Sequence, residues 1–262
     1  MDYKCGYFLN NQFVEIPLES IEVEYFTELK LLLKIKKVQD YPLVRIGTPD
    51  RDGGYIMVDD FENGDIAYSF GISDNIDWDN DMAEKGYQVF MYDHTINKLP
   101  FERNEFHFFK NGISSIAQPE KSLNTLEYYL EQNRHYENKN MILKIDVEGY
   151  EWDFLSAVQP ETLNLFDQII IEFHRMLNCK SGEKNLEFLK KLNETHQLIH
   201  LHGNNCGLTM LIGETFLADT VEATYVNREH YNFTESEIIL PIALDKPNDP
   251  TRNDVILGKW NL

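Results

Sequence analysis

The sequence predicts an α/β protein built on a doubly wound parallel sheet with helices on both faces. Three observations carry this. From residue 66 onward β-prone runs alternate with helical patterns, and βαβ units of that kind set strands side by side and in parallel. The runs themselves, such as "NMILKIDV" (140–147) and "FDQIIIEFH" (166–174), are nearly continuous in apolar residues, as strands buried on both faces are. No period of roughly 20 to 50 residues repeats and no low-complexity linker divides the chain, so one elaborated domain is expected for 262 residues.

Residues 1–42 read as an N-terminal helical extension and 43–262 as the main domain. In the extension, "IPLESIEVEYFTELKLLLKIKKVQ" (16–39) spaces apolar residues by threes and fours, with Glu early and Lys late to suit the helix dipole. This predicts an amphipathic helix that packs either on the main domain or on a second subunit of a homo-oligomer. Pro, Asp and Gly break the short β-prone runs of "YPLVRIGTPDRDGGYIMVDDF", which predicts a strand-loop-strand entry over 43–61. A strand at 66–73 follows, then a helix from "DNIDWDNDMAEKG" that stops at Gly86, and strands at 87–96 and 105–114. Next come a helix at 121–133 entered through a Ser N-cap, a strand at 140–147, the helix "EWDFLSAV" and a strand at 166–174. The helix "EKNLEFLKKLNET" and a strand at 196–205 complete the alternation, and a loop leads to a late strand at 220–229 and a Pro/Asn/Asp-rich tail.

Composition narrows the function. Hydrophobic content of 42% is ordinary for a globular chain. No window approaches the ~18 apolar residues of a membrane span, and "MDYKCGYFLNNQF" has no basic segment followed by an apolar run. Cys5, Cys179 and Cys206 form no CxxC pair, which argues against a disulfide framework and a structural zinc. A cytoplasmic protein is expected. The 24 basic and 44 acidic side chains leave a net charge of −20, a field that repels nucleic-acid backbones and anionic lipid, so neither is an expected partner.

In open parallel sheets the ligand lies beyond the carboxyl ends of the strands. Here those ends carry Gly71 and Ser73, then Asp93 and His94, Gly112 to Ser115, Asp146 and Glu148, Glu172 and His174, and finally His202, Asn204 and Asn205. Any one of these serves a turn or a cap as readily as a site; their gathering at one edge is the functional signal. Asp93 ends the second strand, where nucleotide-binding folds place the carboxylate that accepts ribose hydroxyls. The preceding turn, "SFGISDN", has only Gly71 in place of GxGxxG, and Asp74, Asp77 and Asp79 crowd the helix start, where a diphosphate would be repelled. A cofactor with a ribose and no phosphate suits that turn, and S-adenosylmethionine, whose ammonium and sulfonium favour acidic surroundings, has that profile.

"LKIDVEGYEWDFL" (143–155), followed by "IIIEFH", resembles the FkbM-type family of S-adenosylmethionine-dependent methyltransferases, whose signature is a strand ending in Asp-Val-Glu-Gly-x-Glu, like residues 146–151. "VRIGTPDRDGGYIMV" is similar to the entry segment of a related branch and "VEATYVNR" to the family's last strand, so the resemblance spans roughly residues 43–230. It implies a Rossmann-like methyltransferase domain, seven strands, mostly parallel, with the last strand antiparallel and inserted beside the fifth. It also implies O-methylation of a hydroxyl, with a sugar, and specifically a nucleotide-activated sugar for a bacterial surface polysaccharide, as the acceptor.

Under that reading Tyr55, Gly71, Ser73, Asp93, His94, Ser114 and Asp146 face the cofactor, although Tyr55 serves equally well as packing. Glu148, His202, Asn204 and Asn205 face the acceptor. A sugar hydroxyl is a poor acid, so its proton needs a base or a metal. Related metal-dependent O-methyltransferases carry carboxylate ligands at the ends of these two strands, which makes Asp146, Glu172 and His174 a candidate Mg²⁺ or Mn²⁺ set. The alternative without metal has Asp146 as a hydrogen-bonder and His174 as the general base, with His202 a second base candidate. Glu151 is assigned a structural role, as a cap or as an early-turn charge that complements the helix dipole. An acceptor diphosphate would require Arg45, Arg51, Lys98 or Arg175 to converge on it. A nicotinamide-dependent sugar enzyme and a non-catalytic binding protein are the rival classes on this architecture, and the missing GxGxxG weighs against the first.

Overall fold

The computed structural model describes residues 4–9 and 12–260; the stretch read for an export signal lies partly outside them. Seven strands form the main sheet: β1 (Ile66–Phe70), β2 (Gln88–Tyr92), β3 (Phe106–Phe109), β4 (Met141–Ile145), β5 (Phe166–Phe173), β6 (His196–Gly203) and β7 (Val221–Asn227). Their spatial order is β6-β7-β5-β4-β1-β2-β3. Neighbours are parallel except β7, which runs antiparallel to both β5 and β6. The expected seven-stranded, mostly parallel sheet is therefore present, with the late strand inserted beside the fifth.

Why these runs are strands is visible in where their side chains go. Leu143, Ile145, Ile169 and Ile171 join one buried cluster with residues of α1 (Ser20–Leu32), α3 (Leu126–Asn133), α4 (Glu151–Ala157) and α5 (Gly182–Thr195). Their alternates Ala67, Val89, Met91, Ile142 and Ile170 join a second cluster, with Trp78, Met82 and Ala83 of α2 (Asp77–Glu84) and with Ile46, Tyr55 and Met57. Burial on both faces leaves no room for the polar half of an alternating pattern, hence the continuous apolar runs. The last three residues belong to the hairpin Leu43–Gly47 and Gly54–Val58, the expected entry element.

The remaining differences from expectation have local causes. The first helix spans Ser20–Leu32 rather than 16–39, because a capping box between Glu19 and Glu22 starts it after Pro17. Residues Lys36–Val38 leave it to pair with Phe233–Glu235. The helix packs on the main domain: Phe26, Leu29 and Leu33 are buried in the main core, and the Tyr25 hydroxyl donates to Met176 O at 3.1 Å. The third helix starts at Leu126, capped by Thr125, whose hydroxyl accepts from Tyr128 N at 3.2 Å. Ser122, expected as that cap, instead closes a turn with φ of 57°, and Leu123–Asn124 pairs with Gly112–Ile113. The loop expected before β7 contains a hairpin, Thr209–Ile212 and Thr215–Ala218, that pairs with Cys5–Leu9. Among the described residues no helix is long and apolar enough to cross a membrane.

Candidate active site

The β1–α2 turn and the exit of β4 are pressed together. Gly71 has φ of +80°, and a Cβ there would stand 1.5 Å from the carbonyl oxygen of Asp146. Only glycine fits, both for the left-handed backbone and for the contact. Its N–H donates to Tyr92 O at 3.1 Å, and Asp146 N–H donates to Phe70 O at 2.9 Å, so three strand ends are tied at this point. Gly71→Ala is expected to cost on the order of 3 kcal/mol, ~1–2 of it from the left-handed backbone and the rest from displacing β4's exit. Thermal melting measures it; a variant melting with the parent would show that the turn has room to spare.

Asp93 builds that turn rather than waiting beside it. Its Oδ2 accepts from Ile72 N and Ser73 N, both at 2.9 Å, and its Oδ1 from Thr95 N at 2.7 Å and the Thr95 hydroxyl at 2.6 Å. Burial pushes its carboxyl up, but these donors together hold it below the usual range. Four donors occupy the acceptor positions of a carboxylate, so the ribose role expected of Asp93 has no free oxygen in this arrangement. Ser73 itself sits at φ 53°. His94 lies against Gly112, where a Cβ would meet its Nδ1 at 2.6 Å. Ser114 is turned inward, its N–H donating to Asn124 O at 2.9 Å and its hydroxyl bonded to Ile116 O.

The signature turn after β4 gathers the reactive groups. Glu148 (φ 55°) and Gly149 (φ 97°) reverse the chain into α4. Glu151, expected as a cap or an early-turn charge for the helix dipole, is fully buried. Its carboxylate accepts from Val147 N at 3.0 Å and from Gly149 N at 3.1 Å, and it meets His174 Nδ1 at 3.1 Å. His174 is thus held from behind by a buried carboxylate. Trp152 adds a second hold, donating from Nε1 to His174 O at 2.7 Å. The other ring nitrogen, Nε2, faces Glu148 Oε2 at 3.4 Å. Burial lowers the imidazole's basicity, but Glu151, Asp146 and Glu148 outweigh it and raise its pKa above the ordinary value.

One ligand atom from each of Asp146, Glu148 and His174 lies within 4.8 Å of the others. Glu172, expected in that set, is instead turned to Asn204, whose Nδ2 donates to its Oε1 at 2.8 Å. Burial, with Asp146, Glu222 and Asp52 nearby, raises the Glu172 carboxyl well above the usual range. Asp146 is raised chiefly by burial; Lys144 and His174 pull it back, and Glu148 and Asp52 push it further up. The Tyr55 hydroxyl reaches Asp146 Oδ2 at 3.4 Å, and burial and these carboxylates raise its pKa too.

The C-terminal tail takes up the other expected acceptor residues. His202 is buried, with Nδ1 on Glu222 at 3.0 Å and Nε2 on Asp254 at 2.9 Å. With both nitrogens engaged it has no lone pair for an acceptor's proton. Asn205 donates to Asp249 O at 2.9 Å and Asn253 O at 3.2 Å. Asn248 links Glu222 at 2.6 Å to Asp52 at 3.0 Å, joining tail, β7 and the hairpin tip. The signal for this strap was the density of Asp and Asn in "DKPNDPTRND". Of the cations a diphosphate would need, Arg175 packs on Gly149, while Arg45 donates to Thr48 O at 2.8 Å and Arg51 O at 2.6 Å.

A model of the methyltransferase FkbM domain matches residues 63–205, more than half of the chain and the whole span from β1 to Asn205. The chain belongs to the FkbM methyltransferase family. Comparison with curated proteins gave no match. Among solved structures this FkbM protein is similar to a hemolysin candidate from Streptococcus thermophilus, at 13% identity and a TM-score of 0.37 over 86% of this chain and 78% of that one. Another hemolysin candidate, from Lactococcus lactis, matches at 11% identity and a TM-score of 0.38 over 63% and 78%.

Proposed function

We propose that this FkbM-family protein is an S-adenosylmethionine-dependent O-methyltransferase acting on a hydroxyl of a sugar, with a nucleotide-activated sugar for a bacterial surface polysaccharide as the acceptor class. The observation that carries the reading is His174, held by buried Glu151 through Nδ1, with Nε2 facing Glu148 and with Asp146 in the same cluster within 4.8 Å. In this reading residues 43–262 form a Rossmann-like methyltransferase domain with helices on both faces, 1–42 extend it, and the protein works in the cytoplasm. The cofactor supplies an electrophilic methyl group on a sulfonium. The chain's part is to align the acceptor oxygen with that methyl and to receive the proton the oxygen loses. His174 Nε2 is the proton acceptor, its charge shared with Glu151; Asp146 orients the hydroxyl; Gly71, Ser73 and His94 border the cofactor, with Asp93 shaping their turn.

A second reading is favoured by the clustering of Asp146, Glu148 and His174. Two carboxylates and an imidazole suit Mn²⁺, and less well Mg²⁺, and an imidazole held from behind by a carboxylate is how metal-bound histidines are oriented. Bound there, the cation would supply Lewis acidity to the acceptor oxygen. Transfer from methyl-labelled S-adenosylmethionine to a panel of nucleotide sugars tests both. If chelator treatment abolishes transfer and Mn²⁺ restores it, the metal reading holds; transfer indifferent to chelator leaves His174 as the base. A protein stabilised by NAD and not by S-adenosylhomocysteine would overturn the proposal in favour of a nicotinamide enzyme.

A further inference from the structure

Among the described residues Lys144 is the one lysine or arginine that the core buries, at 5% exposure. It stands on β4 on the face whose neighbours Ala67, Ile142 and Ile170 enter the cluster around Trp78, where an apolar side chain would satisfy packing. Burying an ammonium there costs several kcal/mol unless it is paired. Its surroundings supply the pairing. Nζ donates to the carbonyl oxygen of Gly71 at 2.8 Å and stands 5.5 Å from the centre of the Tyr55 ring. Asp79, in the first turn of α2, is 1% exposed, and among the described residues neither of its carboxylate oxygens has a hydrogen bond of good geometry; burial raises its carboxyl above the usual range, with Lys144 and Ser69 opposing. The charge of Lys144 acts on both Asp79 and Asp146. One buried cation therefore meets both the turn after β1 and the hairpin.

We propose that Lys144 is a positioning residue for the cofactor: its ammonium grips the Gly71 carbonyl and holds the β1–α2 turn in the shape the cofactor binds. A loose turn would have to be ordered at each binding event, and the cost would appear as lost affinity. The positive φ of Gly71 and Ser73 makes this turn one that needs such a hold.

The inference rests on the turn being the S-adenosylmethionine site, and the test separates the two. Lys144→Met keeps the length and removes the charge. Calorimetry is expected to show S-adenosylhomocysteine bound roughly 10- to 100-fold more weakly, the range for losing a charged hydrogen bond. The KM for S-adenosylmethionine should rise with it, while the acceptor's KM stays put; a purely structural role would lower the active fraction and leave both KM values alone. Where Lys144→Met fails to fold, Asp79→Asn/Lys144→Met also replaces the buried carboxyl whose pKa Lys144 lowers. It is expected to regain the fold and not the affinity. Parental affinity in either folded variant overturns the inference alone. A parent protein that binds no S-adenosylhomocysteine overturns the reading beneath it and the inference together.

Discussion

Asp146→Asn is expected to lower methyl transfer by about 10³-fold, within the range for losing a group that positions and polarises a proton in flight, while the melting temperature holds. The two halves of that expectation come from the same geometry. The Asp146 backbone makes the structural contacts, its N–H on Phe70 O and its carbonyl against Gly71, and the substitution leaves both in place. Among the described residues the carboxylate's one hydrogen bond is the weak 3.4 Å approach of the Tyr55 hydroxyl.

Electrostatics points the same way. Asp146 lies among Asp52, Glu148 and Glu172, whose like charges disfavour its ionisation, with Lys144 and His174 opposing them. Removing one carboxylate relieves that repulsion. Transfer assays, melting and S-adenosylhomocysteine binding are read together. Lost transfer with intact melting and binding places Asp146 at the reacting atoms. Full activity in the variant removes it from the chemistry, and a parallel fall in melting temperature makes its role structural.

The parts of this site legible in sequence are those set by neighbours in the chain. The run from Leu143 to Glu151 shows its strand, its turn and its acidic exit because burial on both faces of β4 ends abruptly at Asp146. The spacing of Glu172 and His174 shows that β5 reaches the same edge. What could not be read is pairing over distance. Glu151 looks like a helix-dipole residue until His174, on another strand, is seen against it. Lys144 interrupts an apolar run without its reason, because Gly71, Asp79 and Tyr55 lie far off in sequence. His200 and His202 stand two residues apart on β6, and their partners Asp245 and Asp254 come from a tail with no periodicity to place it.

Raising the pH from about 6.5 toward 10 is expected to weaken the protein through His202. Burial alone would push this imidazole's pKa down, but the hydrogen bonds to Asp254 and Glu222, with Asp245 adding its charge, raise it from 6.5 to about 10. A folded-state pKa above the unfolded one means the folded chain binds the proton more tightly. That stabilisation is whole below pH 6.5 and is lost as the pH climbs through 10. At 1.36 kcal/mol per pH unit, the full span amounts to about 5 kcal/mol. Urea unfolding followed from about pH 7 to 9.5 should therefore show a falling free energy. In His202→Gln the fall should flatten and the starting value drop by several kcal/mol, because Glu222 and Asp254 are then left facing each other without the cation between them. Taking the difference between parent and variant removes the tyrosines and cysteines that titrate near the top of the range. A parent whose stability is level across that window would mean the imidazole is neutral and the strap is held by its hydrogen bonds alone. If the fall is seen, the charged pair of His202 with Asp254 is what keeps the C-terminal tail fastened over β6 and β7, beside Glu172 and the site.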